Sequence, residues 1–167
     1  MDTNLTANRT AHIRGVALYM RENASKLGLD PDETALCGWL HDFGYIAGDN
    51  RSHARIGGRL LREQGYLHWR EVSTHGSVKG LFSPLGVLLN IADMSVDSKG
   101  KVVGFATRLE DVAERYGKDS VQYRDCLAVI NAIESTSEWS ALNGNCCVPP
   151  VGLEPTTHGL KDRCSGH

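Results

Sequence analysis

Histidines and aspartates at particular points of this 167-residue sequence are its best candidates for chemistry. His41 is followed directly by Asp42, and Asp93 ends an apolar stretch that includes Leu88 and Leu89. A carboxylate beside such a stretch is costly to bury unless it is paired or bound to a cation. Imidazole nitrogens and carboxylate oxygens together suit zinc, iron, manganese or related divalent ions. Outside the C-terminal segment, the histidines are His12, His41, His53, His68 and His75.

The adjacent pair His41-Asp42 suits a metal centre. Neighbouring side chains on a helix point about 100° apart, yet at the last turn both can reach one centre, one along the axis and one sideways. Because a carboxylate has two oxygens, Asp42 can bridge two metals while each imidazole binds one. Such a pair of metals would hold a phosphate and activate a bridging water for attack on phosphorus.

The order of these residues is similar to that of the HD-domain superfamily. Its H…HD…D pattern, and the interposed histidines of its two-metal version, correspond to His12, His41, Asp42, His53, His75 and Asp93. Within the superfamily, the chain most resembles the bacterial family that cleaves diadenosine tetraphosphate symmetrically into two ADP. The similar stretches are GWLHDFG at 38–44, SHARIGG at 52–58, STHG at 73–76 and LNIAD at 89–93.

The resemblance implies an all-α bundle of six to eight helices with a buried site for one or two divalent ions. Iron, manganese and zinc are the candidate metals. His41 and Asp42 would be the catalytic residues, and the substrate would be a nucleotide or another small phosphoester or phosphoanhydride, with diadenosine tetraphosphate as one candidate. The first metal would bind His12, His41, Asp42 and Asp93, and the second would bind Asp42, His53 and His75.

Three further residues are candidates for binding this substrate. Arg55 lies two positions after His53, and Lys79 lies in the loop after His75, so either cation could face a phosphate. A solvated surface charge is the alternative for both. Tyr45 stands where many relatives have lysine, and it could stack on a nucleotide, donate a hydrogen bond to it, or cap the rim of the pocket.

Two other functions stay open on the sequence. Some HD-domain proteins use a di-iron pair and oxygen to cleave C–C or C–P bonds, and their ligand sets overlap with this one. A metal-binding regulatory module without catalysis is the second alternative, and the intact ligand set argues against it.

The elements that must position these residues are helices. The periodicity of apolar residues predicts a third helix that begins near His53, and the capping residues Asp30 and Ser83 predict where two others begin. A short fourth helix is expected to end just before His75, and residues 76–82 and 97–104 are expected to be loops. The predicted helices span about 5–27, 31–42, 52–64, 67–74, 84–93, 105–116 and 120–135.

Composition limits the remaining possibilities. The net charge of −2 provides no positive field for nucleic acid or an anionic membrane, so neither is expected as a partner, whereas a homodimer stays open. No apolar stretch is long enough to span a bilayer, and residues 1–14 lack the apolar core of a signal peptide, so a cytoplasmic location is expected. Residues 1–142 are predicted to form one HD domain. Residues 143–167, with three cysteines, three prolines and no periodicity, are predicted to be a disordered or weakly packed tail.

Overall fold

The computed structural model describes residues 6–47 and 52–144. This part of the chain contains eight α-helices, which confirms the predicted all-α bundle; its one β-type contact is an isolated bridge between Val96 and Val102. Short 3-10 turns lie at Ser25–Leu27, Phe43–Ile46 and Val78–Gly80. The helices are α1 (Ala7–Ala24), α2 (Pro31–Leu40), α3 (His53–Glu63), α4 (Trp69–Thr74), α5 (Pro84–Ser95), α6 (Phe105–Tyr116), α7 (Val121–Glu134) and α8 (Ser137–Leu142).

Capping side chains fix where α2 and α5 begin, as the sequence predicts. The Asp30 carboxylate accepts hydrogen bonds from the backbone N–H groups of Asp32 and Glu33, at 3.0 and 2.8 Å. The Ser83 hydroxyl accepts one from Gly86 at 3.1 Å. In both helices a proline occupies the first turn, where its missing N–H costs nothing.

The centre of the bundle is α5, whose residues from Leu85 to Ser95 are all buried. One side of α5, including Leu88 and Leu89, packs into a core that also contains Val16 of α1 and Val72 of α4. The other side packs against α7 in a second core. A helix that is apolar all round is expected to be buried in this way. Asp93 therefore lies near the end of the most deeply buried helix.

Three local features differ from the sequence-based expectation. α2 ends at Leu40, so His41 and Asp42 follow the helix instead of closing it. α5 continues two residues past Asp93, to Ser95. The short helix α8 was not predicted, because six residues are too few to show a period, yet its Trp139 stacks on Phe105 with ring centroids 4.7 Å apart.

The boundary between domain and tail remains a prediction. Only residues 143 and 144 of the predicted tail fall in the part of the chain that the structure describes, and residues 145–167 lie outside it. None of the described helices combines the length and the apolarity needed to cross a bilayer.

Gly44 holds the turn after His41-Asp42 tightly against α3. A Cβ atom at this position would lie 1.9 Å from the carbonyl oxygen of His53, which is backbone and cannot move aside without shifting α3. We expect Gly44→Ala to lower the free energy of unfolding by about 1–3 kcal/mol or more and to weaken metal binding. Urea denaturation and metal analysis test this. Arg14→Ala, on the exposed side of α1, is the control, and an equally small effect of both substitutions would contradict the prediction.

Candidate metal centre

Six side chains from separate points of the sequence meet between the helices, and we call them the His/Asp cluster. They come from α1, from the turn after α2, from the first residue of α3, from the end of α4 and from α5. All are buried except His53, whose side chain is 20% exposed. The members are the six residues predicted as metal ligands: His12, His41, Asp42, His53, His75 and Asp93.

The cluster consists of two adjoining groups. Ligand atoms of His12, His41 and Asp93 lie within 4.8 Å of one another, and the same is true of His41, Asp42 and His75. His53 adjoins the second group, because its Nε2 lies 3.1 Å from Nε2 of His75. His41 belongs to both groups, whereas the sequence analysis assigned Asp42 to both predicted metal sites and His41 to the first alone. The division of the six residues between two ions stays a prediction.

The Asp42 carboxylate lies between the groups, with one oxygen toward each set of imidazoles. Its Oδ2 is 3.4 Å from Nε2 of His41. Its Oδ1 is 3.3 Å from Nε2 of His53 and 3.6 Å from Nε2 of His75. The two oxygens therefore face different imidazoles, and Oδ2 also accepts a hydrogen bond from Arg9 at 2.8 Å.

Backbone carbonyl groups orient three of the four imidazoles. In each case Nδ1 lies within hydrogen-bond distance of a carbonyl oxygen, and a carbonyl can only accept, so Nδ1 carries the proton. A neutral imidazole of this tautomer has its lone pair on Nε2, which points into the cluster. The distances are 3.2 Å from His12 to Asp97, 2.7 Å from His41 to Gly38, and 2.7 Å from His75 to Val72.

These lone pairs make the cluster suited to a cation. Nε2 of His41 is buried and has no hydrogen-bond partner within residues 6–47 and 52–144. Nε2 of His12 lies 3.1 Å from Oδ1 of Asp93, so a lone pair would face an anion unless a proton or a metal lies between them. Imidazole and carboxylate donors together fit zinc, iron or manganese. The residues present therefore fit the implied divalent ions.

The electrostatics keep His41 and the two carboxylates of the cluster in a form that binds metal. Burial lowers the pKa of His41 to about 4, so this ligand is neutral near pH 7. Burial alone would raise the pKa of Asp42, but His41 and the other imidazoles around it hold that pKa well below its usual value. Burial acts in the same direction on Asp93, and His12 reverses the effect, so the pKa of Asp93 is also lowered. Both carboxylates are therefore ionised.

Arg9 belongs to this site, although the sequence analysis did not select it. Its Nη1 donates to Oδ2 of Asp42 at 2.8 Å, and its guanidinium lies 4.0 Å from the centroid of the Tyr45 ring. Tyr45 in turn stacks on His53 with ring centroids 4.2 Å apart. One feature of the sequence could have selected Arg9: it precedes His12 by three residues, and residues three apart lie on the same side of a helix.

A cleft of about 510 Å³ opens beside the cluster. Its wall includes Arg9, His12 and Tyr45, together with residues of α6 and α7. Of the three residues predicted to bind substrate, Tyr45 lines this cleft. Arg55 and Lys79 are exposed and are not part of its wall, and their contact with a substrate stays a prediction.

Comparison with known proteins places the cluster within a known type of domain. A family model described as HD domain matches residues 9–93, which is half of the chain and includes all six residues of the His/Asp cluster. No curated protein and no solved structure was found to match the chain. The family match does not separate subfamilies, so the narrower resemblance to the tetraphosphate hydrolases stays a prediction.

Proposed function

Because this chain belongs to the HD-domain family, we propose that it is a metal-dependent phosphohydrolase acting on a nucleotide or another small phosphoester or phosphoanhydride. One observation carries the proposal. Imidazoles whose Nδ1 atoms are held by backbone carbonyls direct their Nε2 lone pairs at two buried, ionised carboxylates. Such a set of donors suits a divalent cation.

Different residues of the cluster would bind different metal ions. His12, His41 and Asp93 form one group, and His41, Asp42 and His75 form the other. His53 adjoins the second group. When bound, one or two divalent ions would supply Lewis acidity to the phosphate and would lower the pKa of the attacking water. Iron, manganese and zinc all remain candidates.

The cleft beside the cluster suits a small substrate. Its volume of about 510 Å³ falls within the range of small-molecule sites. Arg9 places a guanidinium at the border between cluster and cleft, where it complements the charge of a phosphate. Tyr116 adds an exposed aromatic ring to the same wall, on which a base could stack, whereas Arg9 and His53 already cover the ring of Tyr45. Diadenosine tetraphosphate is one candidate substrate among nucleotides.

Metal analysis of the purified protein, followed by a phosphate-release screen over nucleotides and dinucleoside polyphosphates, tests the proposal. We expect one or two metal equivalents per chain and release of phosphate or of a nucleotide product. His68→Ala is a matched control, because His68 pairs with Glu33 at 2.7 Å and lies outside the cluster. A folded protein that lacks metal, or that binds metal but releases no product, would favour a non-catalytic regulatory module. Oxygen consumption upon substrate addition would favour the di-iron oxygenase.

A further inference from the structure

Arg108 of α6 is a partly buried cation in the wall of the cleft. It lines the same cleft as His12 of the His/Asp cluster, and its side chain is only 16% exposed. Its Nε is buried and has no hydrogen-bond partner among the residues that the structure describes. A buried donor without a partner costs about 1–3 kcal/mol. Because Nε is enclosed, a ligand in the cleft would be bound by the terminal nitrogens of this guanidinium.

Asp111 fixes the orientation of this guanidinium. Nη1 of Arg108 donates to Oδ2 of Asp111 at 3.0 Å, and Nε of Arg115 donates to Oδ1 of the same carboxylate at 3.0 Å. Positions 108, 111 and 115 lie on one side of α6, since residues three and four apart are neighbours on a helix. Preorganised arginine is well suited to bind phosphate or carboxylate, because little freedom is lost when it does so.

The charge of the cleft favours an anion. Its lining contains the arginines Arg9, Arg108 and Arg115, against a single carboxylate, Asp111, and Arg9 is also paired with Asp42 of the cluster. Arg108 and Arg115 share Asp111, which leaves one positive charge unbalanced. Arg108 lines the same cleft as His12, which is a member of the His/Asp cluster. An anionic group held by Arg108 would therefore lie near the phosphate that reacts at the cluster, but it would be a different group of the substrate.

We propose that Arg108 determines substrate specificity by binding an anionic group of the substrate other than the phosphate that reacts. The inference rests on the proposed function, because the reacting phosphate is assigned to the His/Asp cluster. The substrate would then carry at least two anionic groups, the second one a phosphate or a carboxylate. α6 lies beyond residue 93, where the family match ends, so this part of the wall is not a feature of that match.

The competing explanation is that Arg108 only stabilises α6 through Asp111. The two explanations differ in what they predict for binding. A structural role would change the affinity for any anion equally, or not at all. A specificity role would change the affinity for a ligand with two phosphate groups and spare a ligand with one.

Calorimetric titration of the full chain, purified with its metal, with pyrophosphate and with orthophosphate tests the proposal. We expect wild type to bind pyrophosphate more tightly than orthophosphate. Arg108→Ala and Arg108→Gln should weaken pyrophosphate binding by about 10- to 100-fold, as expected for a lost hydrogen bond to a charged group. The affinity for orthophosphate should change by less than about threefold, which is the size of effect that substitutions at a protein surface usually have. Melting temperature and metal content identify a variant that does not fold.

Arg124→Ala is the control, since Arg124 is an exposed arginine of α7 that does not line the cleft. Equal losses for both anions, or no loss for either, would overturn the proposal, and so would equal affinity of wild type for both. Because the readout is binding, the outcome is separate from that of the proposed function. A chain that binds pyrophosphate through Arg108 yet hydrolyses no phosphoester would contradict only the proposed function.

Discussion

Replacing Asp42 with alanine is expected to remove metal binding and phosphohydrolase activity together. The two oxygens of this carboxylate face different groups of imidazoles, Oδ2 toward His41 and Oδ1 toward His53 and His75. One substitution therefore takes a ligand from both halves of the cluster. Ligand losses in metal sites typically cost about 10- to 100-fold in affinity or activity, and here two sites are affected at once. We expect less than about 1% of wild-type turnover.

Metal analysis and phosphate release, measured on the same preparations, test this prediction. Asp42→Asn keeps the shape of the side chain but removes its charge, so it should lose most of the bound metal while the fold is retained. Asp125→Ala removes an exposed carboxylate of α7 and should change neither measurement. Turnover and metal content close to wild type in the Asp42 variants would refute the proposed function.

Replacing His75 with alanine is expected to remove about one metal equivalent and leave the other bound. His75 adjoins Oδ1 of Asp42 and Nε2 of His53, whereas the group formed by His12, His41 and Asp93 does not include it. The first group should therefore stay loaded while the second is lost. Activity should fall by about two orders of magnitude, since losses of ligands and of the residues that support them reach that size.

His53→Ala should give the same loss of one equivalent, because its Nε2 lies 3.3 Å from Oδ1 of Asp42. The matched control is His68→Ala, a histidine outside the cluster, which should keep the wild-type metal count. Metal analysis of all three variants beside wild type distinguishes a two-metal site from a one-metal site. If wild type binds a single metal and neither cluster substitution changes the count, the two-metal arrangement is wrong and a one-metal site replaces it.

Features that depend on a few neighbouring residues could be predicted from the sequence. Asp30 and Ser83 cap their helices because a side-chain oxygen reaches N–H groups two or three residues ahead, which is a local property. The apolar run through Leu88 and Leu89 indicated a buried helix for a similar reason. The order of the histidines and aspartates indicated an HD domain, and the family match supports that interpretation.

Features that depend on how helices pack could not be predicted from the sequence. Arg55 and Lys79 were selected because they follow motif histidines in the chain, but nearness in sequence does not decide which helix face lines the cleft. Arg9 and Arg108 line it instead, although almost 100 residues separate them. Their positions depend on the way α1 and α6 are packed around the cluster.

The sequence by itself therefore determined the helical class, the main helix starts and the identity of the six cluster residues. Only the tertiary structure decided the orientation of those residues: which imidazole nitrogen faces the cluster and which oxygen of Asp42 faces which group. It also decided which arginines reach the cleft. The physical reason is that capping and periodicity act over a few residues, whereas convergence of side chains depends on the distances and rotations between whole helices.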